Sequence, residues 1–180
     1  MNVLELAAGI GRLTTRLMTD KKPKHLHTTD FMESYVETNR VTNGHFSNMT
    51  FSCSDVTKQD FPLSTYQHVF SNWLFMYLSD TECTHVFKKI YDSLTIGGTF
   101  YMRESCFRQS GDKARSFNPT NYRSDQLYNE LMASACGGSV TEDGLIVGGG
   151  IVIEKTGRSE TYVRVKNNEN QKMWLFKKVY

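Results

Sequence analysis

Gly9, Gly11 and Asp30 are the residues whose types and spacing first suggest chemistry. The glycines stand in the run Val3-Leu4-Glu5-Leu6-Ala7-Ala8-Gly9-Ile10-Gly11-Arg12, where apolar residues of strand type give way to small ones. A helical pattern follows at once, with Leu13, Leu17 and Met18 expected on one buried side. Glycines at a strand-to-helix turn permit positive φ and let the backbone approach a bound molecule, while the free amides of the new helix face the same spot. A nucleoside cofactor is the usual occupant. Asp30 lies 19 positions beyond Gly11, close to the ~20 that separate such glycines from the acid receiving the ribose hydroxyls. A carboxylate accepts both hydroxyl protons, and the same residue could instead cap the helix that follows.

The elements needed to hold these groups alternate between strand and helix. Leu26–Thr29 reads as a second strand ending at Asp30, and Met32–Val41 as a helix with Phe31, Tyr35 and Val36 on its buried side. Met49–Cys53 reads as a third strand running into Ser54-Asp55-Val56, and His68–Ser71 as a fourth. Ser79 or Asp80 caps a helix reaching about Leu94, with Glu82 in its first turn, and Gly97-Gly98 ends it. Thr99–Met102 gives a fifth strand, Ser124 or Asp125 caps a helix through Cys136, and Ile146–Val165 with Met173–Val179 supplies two closing strands. This order predicts an α/β domain with a mostly parallel sheet covered by helices on both faces.

Composition narrows the partners. Twenty-one Lys and Arg against nineteen Asp and Glu leave a net charge of +2, which gives no electrostatic case for nucleic acid. The longest uncharged apolar stretch, Gly144–Ile153, contains four glycines and falls far short of the ~20 residues a membrane helix needs. No secretory signal is legible, and a cytoplasmic protein is expected. Cys53, Cys83, Cys106 and Cys136 are too widely spaced for a Cys-x-x-Cys pair, and the histidines form no ligand motif, so no metal is expected. Asn48-Met49-Thr50 matches a glycosylation acceptor by pattern alone.

The turn lacks the third glycine of the dinucleotide fingerprint, having Thr14 in its place. With Glu5 before it, the turn resembles the E-x-[GA]-x-G-x-G turn of S-adenosylmethionine (AdoMet) methyltransferases, in which the acid lies beneath the cofactor. That resemblance assigns Asp30 to the ribose, Asp55 to the adenine amino group and the Val56 amide to the ring. Further along, Phe70-Ser71-Asn72-Trp73-Leu74-Phe75-Met76-Tyr77-Leu78-Ser79-Asp80, Arg103-Glu104-Ser105-Cys106-Phe107, Gln109-Ser110-Gly111-Asp112 and Asn118-Pro119-Thr120-Asn121-Tyr122-Arg123 closely resemble the phosphoethanolamine N-methyltransferases of plants and nematodes, most of all the domain performing the first methylation. The tail from Tyr162 through Asn167-Asn168-Glu169-Asn170-Gln171 to Trp174 is similar too.

The resemblance implies a Rossmann-like class I methyltransferase fold, with a seven-stranded sheet and an antiparallel closing strand. It also implies methyl transfer from AdoMet to the amine of phosphoethanolamine, towards phosphocholine. Guanidinium matches a phosphate edge, so Arg123 with Tyr122 is the first choice for the substrate phosphate and Arg103 the second, with Lys166 behind them. Surface ion pairs are the other reading of both arginines. Tyr77 stands where related enzymes carry a histidine, and either orients the amine or packs. Asn72 would bind the cofactor, and Trp73 would line the adenine or methyl pocket or else pack in the core. Arg108 stands where the family pattern often has histidine. Relatives carry a lid before the first strand; this chain begins at the strand, so a single domain lacking that lid is expected, as a monomer or paired with a second methyltransferase domain. The remaining alternatives are a methyltransferase acting on another small molecule and a non-catalytic nucleoside-binding domain.

Overall fold

The computed structural model describes residues 1–109 and 119–180; the motif residues Ser110, Gly111, Asp112 and Asn118 lie outside them. The elements are β1 (Asn2–Leu6), α1 (Arg12–Arg16, continued by a π turn at Leu17–Lys21), β2 (His25–Asp30), α2 (Glu33–Asn43), β3 (Met49–Cys53), β4 (Tyr66–Asn72), a 3-10 turn (Phe75–Tyr77), α3 (Asp80–Ser93), β5 (Leu94–Ser105), α4 (Asp125–Ala135), β6 (Gly138–Val140), β7 (Ile146–Gly148), β8 (Ile151–Arg158), α5 (Glu160–Lys166) and β9 (Gln171–Lys178). Seven strands form one sheet in the order β3-β2-β1-β4-β5-β9-β8. The first five are parallel, and β9 runs antiparallel to both of its neighbours.

Alternation along β1 divides the core between the two faces of the sheet. Leu4 and Leu6 join Val86, Phe87 and Ile90 of α3 with Phe100 and Phe176, whereas Val3 packs with Leu17, Met18 and Leu26. Helix α3 starts where a capping box predicts: the Glu82 amide donates to Ser79 Oγ at 3.3 Å and the Ser79 amide to Glu82 Oε2 at 2.8 Å. Helix α4 is likewise capped by Ser124, whose Oγ accepts from the Leu127 amide at 3.1 Å.

Several local expectations change. Leu13, Phe31 and Tyr35 are exposed rather than buried, because the inward positions of α1 and α2 are taken by Thr14, Val36, Asn39 and Asn43. Gly97 and Gly98 do not end the helix; α3 stops at Ser93, and the glycines sit inside β5, where its register with β4 shifts. The region Ile146–Val165 is not one strand. It divides into β7, which pairs with β6 in a separate ribbon, then β8, then helix α5, and Gly148, Gly149 and Gly150 at positive φ make the break.

Candidate active site

The chain runs outward from β1 to β3 and then returns to β4 on the other side of β1. In such a sheet the crevice at the carboxyl ends of the strands, where the order reverses, is the place for a ligand. A cavity of about 700 Å³ opens there, lined by Gly9, Asp30, Asp55, Asn72 and Tyr77 among others. Glu5, Val56 and Trp73 line it as well. Leu13, Phe31 and Tyr35, freed from the core, form part of the same wall.

The turn is built from below. Ala7, Gly9 and Gly11 all have positive φ, at 53°, 57° and 84°, so the backbone folds tightly onto the start of α1. A side chain on Gly11 would collide with the amides of Asn39 and Asn43. Those amides belong to a buried polar network. Asn43 Nδ2 donates to Gly11 O at 3.0 Å and Asn39 Oδ1 at 2.8 Å, and Asn39 Nδ2 donates to Thr14 Oγ1 at 3.1 Å. Thr14 and Thr28 in turn donate to Glu5 Oε2 at 2.6 and 3.0 Å. Glu5 Oε1 is buried without a hydrogen-bond partner among the described residues. Burial pushes the Glu5 carboxyl up to about 7.

Asp30 braces the turn from the next strand. Its Oδ2 accepts the Gly9 amide at 2.7 Å and its Oδ1 the Met32 amide at 2.9 Å. Each oxygen keeps a second lone pair, enough for two vicinal hydroxyls. Asp55 Oδ1 accepts from the Thr57 hydroxyl and amide at 2.7 and 3.0 Å, while Lys58 pairs with Oδ2 at 3.1 Å. The Thr57 hydrogen bonds hold the Asp55 carboxyl below its ordinary range.

The far wall comes from the segment after β4. Trp73 adopts φ 59°, a conformation that costs a bulky residue roughly 1–3 kcal/mol and collects at functional sites. Its amide donates to Arg103 O at 2.9 Å and its indole to Gln171 Oε1 at 2.8 Å. Arg103 Nε donates to Asn72 Oδ1 at 2.6 Å, and its guanidinium lies 5.2 Å from the Trp73 ring and 5.7 Å from that of Tyr162 on α5. Tyr77 is 51% exposed at the cavity.

Arg123 departs from the sequence expectation. Its side chain is 3% exposed, and its donors go to Asp80 Oδ1 at 2.6 Å, Phe75 O at 2.8 Å and Leu78 O at 2.6 Å. Three protein acceptors take up the guanidinium, so it grips the main chain behind the wall rather than facing the cavity. Tyr122 is half-buried and is not among the lining residues. Arg103 is not among the lining residues either, but it contacts two that are, Asn72 and Trp73.

Sequence reasoning passed over Glu104, Asn39, Asn43 and Tyr162. Two signals were available. Glu104 follows Phe100 and Met102 on the inward parity of β5, and Asn39 and Asn43 share the face of Val36 on α2; polar residues at such positions require buried partners. Tyr162 stood in the tail that resembles the family, but no pattern of burial marked it.

A family model described as a methyltransferase domain matches residues 3–98. That span holds the turn, Asp30, Asp55 and the segment after β4. The chain belongs to the methyltransferase-domain family. Its sheet order and antiparallel β9 are those of the Rossmann-like class I methyltransferase fold. Among curated proteins it is 42% identical over 179 residues to phosphoethanolamine N-methyltransferase 3 of Arabidopsis thaliana, covering 98% of this chain and 35% of that protein. It is 39% identical over 191 residues to phosphoethanolamine N-methyltransferase of Triticum aestivum, covering 99% and 34%. Among solved structures, Haemonchus contortus phosphoethanolamine N-methyltransferase 1 in complex with phosphoethanolamine and S-adenosylhomocysteine superposes with a TM-score of 0.84 at 31% identity, covering 99% of this chain and 39% of that one. This methyltransferase domain therefore spans about a third of the length of the curated relatives it matches.

Proposed function

We propose that this domain transfers a methyl group from AdoMet to the amine of phosphoethanolamine. The observation that carries the reading is the convergence of the turn at Gly9, Asp30 and Asp55, from three successive strand ends, on one cavity, with Gly11 facing Asn39 and Asn43 behind it. The residues fit such a cofactor. Asp30 has lone pairs for the ribose diol, Asp55 offers a carboxylate to the adenine amino group, and the orphaned Glu5 Oε1 fits a donor at the amino-acid end. When bound, AdoMet supplies an electrophilic methyl carbon, its sulfur keeping the C–S electron pair while the acceptor nitrogen forms the new C–N bond. Relatives from plants and the nematode neighbour bear the acceptor's name, which favours this amine over others.

The chain's own contribution is to hold the acceptor. An alkyl ammonium titrates on the order of pH 10, so it must lose its proton before it has a lone pair to donate. Tyr77, at the cavity wall, orients the amine and passes that proton towards water. Trp73 supplies an apolar surface beside the sulfonium and, with Tyr162, stacks Arg103. Arg103 lies beside the cavity residues Asn72 and Trp73, and its charge suits it to the phosphate, with the ammonium end towards Tyr77. Among the described residues no helix is long and apolar enough to cross a membrane, which accords with a cytoplasmic enzyme acting on a small water-soluble molecule, as a monomer or beside a second methyltransferase domain.

Transfer of labelled methyl from AdoMet to phosphoethanolamine, measured beside transfer to ethanolamine, tests the reading. Strong preference for the phosphorylated amine is expected. Equal use of both would remove the phosphate from the argument, and cofactor binding without transfer to either would leave a nucleoside-binding domain.

A further inference from the structure

The segment from Trp73 to Leu78 is gripped at both ends by buried charge that the sequence motifs do not assign. At its start, three successive amides converge on one carboxylate: Leu74 and Phe75 donate to Glu104 Oε1, each at 2.9 Å, and Met76 donates to Oε2 at 3.3 Å. At its end, Arg123 donates to Phe75 O at 2.8 Å and Leu78 O at 2.6 Å. Free amides at the start of a helical turn carry partial positive charge and free carbonyls at its end partial negative charge. Carboxylate oxygens therefore suit the first and a cation the second. Asp80 completes the pairing of Arg123 from the start of α3, and Asn121 adds Nδ2 to Leu78 O at 3.1 Å.

Both charges are costly to bury, with Glu104 at 0% and Arg123 at 4% exposure. Removing Glu104 leaves three main-chain amides without their acceptor, and removing Arg123 leaves two carbonyls without their donor. A short turn of three residues (Phe75–Tyr77) does not need two buried ions merely to exist. The other side of the segment explains them, because Trp73, Leu74, Tyr77 and Leu78 all line the cavity.

We infer that Glu104 and Arg123 are positioning residues which clamp the 74–78 turn from behind, fixing Trp73 and Tyr77 where the acceptor must meet the methyl group. The inference rests on the proposed function for its kinetic consequence, though not for its structural one. A displacement of about 1 Å in a group that orients a reactant can cost on the order of 100-fold in rate. Glu104→Gln keeps the shape but replaces one acceptor oxygen with a donor that faces an amide. Arg123→Lys keeps the charge but loses the fork that reaches two carbonyls at once.

The test combines amide exchange, cofactor-product affinity and steady-state kinetics on the full chain. In Glu104→Gln the amides of Leu74, Phe75 and Met76 should exchange at least ~10-fold faster, with S-adenosylhomocysteine affinity within about threefold of the parent. The kcat for phosphoethanolamine should fall ~10–100-fold. In a Tyr77→Ala background the same substitution should cost little more, since its effect passes through the turn. Arg123→Lys should give a milder version of the same pattern. Unchanged exchange at Leu74–Met76 in Glu104→Gln would overturn the clamp, as would full additivity with Tyr77→Ala. A parent chain that transfers no methyl to phosphoethanolamine would instead condemn the proposed function. The clamp would then be decided by amide exchange and by the Trp73 emission change on adding S-adenosylhomocysteine, which should be lost in Glu104→Gln and kept if the clamp is wrong.

Discussion

Burial raises the Glu5 carboxyl from its ordinary 4.5 to about 7, and the sign of the consequence follows by linkage. A group whose folded value is raised contributes stability that is complete below its unfolded value and is lost as pH rises through the folded one. Unfolding free energy should therefore decline between about pH 4.5 and 7, by on the order of 3 kcal/mol from Glu5 at most. Urea unfolding at a series of pH values checks this. Glu5→Gln should flatten the decline in part, leaving the contribution of Glu104, which burial shifts in the same direction to about 7. At the same scale, Arg103→Ala should raise the phosphoethanolamine concentration needed for half-saturation roughly 10–100-fold, as expected for a lost charge-assisted contact. S-adenosylhomocysteine titration of that variant should give nearly the parent affinity. Unchanged saturation would remove Arg103 from the phosphate.

Among the elements, the glycine turn is the least tolerant. Gly11→Ala adds a methyl group against Asn39 and Asn43 at a φ that L residues rarely adopt. A loss of about 2 kcal/mol in unfolding free energy is expected, together with weaker cofactor-product binding. Ser79→Ala, which removes a cap outside the glycine turn, should cost about 1 kcal/mol. The contrast between these elements shows what could be read in advance. The capping signals at Ser79 and Ser124 are local, so the starts of α3 and α4 were legible residue by residue. The ends of strands were legible where apolar runs met Asp30 and Asp55. Gly97-Gly98 misled because strand pairing with β4 outweighed the usual stop signal for a helix. Helix α5 was missed because no buried residue marks a core-facing side and no side-chain cap marks its start. The orientation of Arg123 was beyond reach, since a guanidinium suits a phosphate and a set of main-chain carbonyls equally well, and only tertiary packing decides between them.

Across the whole molecule, the cofactor half and the half to which the proposed function assigns the acceptor are built differently. The turn, Asp30 and Asp55 lie at the ends of parallel strands within the matched methyltransferase domain. The wall around Trp73, to which the proposed function assigns the acceptor, is held by Arg103 and Glu104 from β5, Tyr162 from α5 and Gln171 from β9. Substitutions on the first side should act on cofactor affinity and those on the second on acceptor use. Everything in this division requires that the three strand ends serve one nucleoside. Calorimetric titration of the parent chain and of Asp30→Ala with S-adenosylhomocysteine decides it. One site per chain is expected, weakened ~10–100-fold by the substitution, the loss appropriate to hydrogen bonds made by a charged group. Equal affinity in the two proteins would contradict it, as would no binding to the parent.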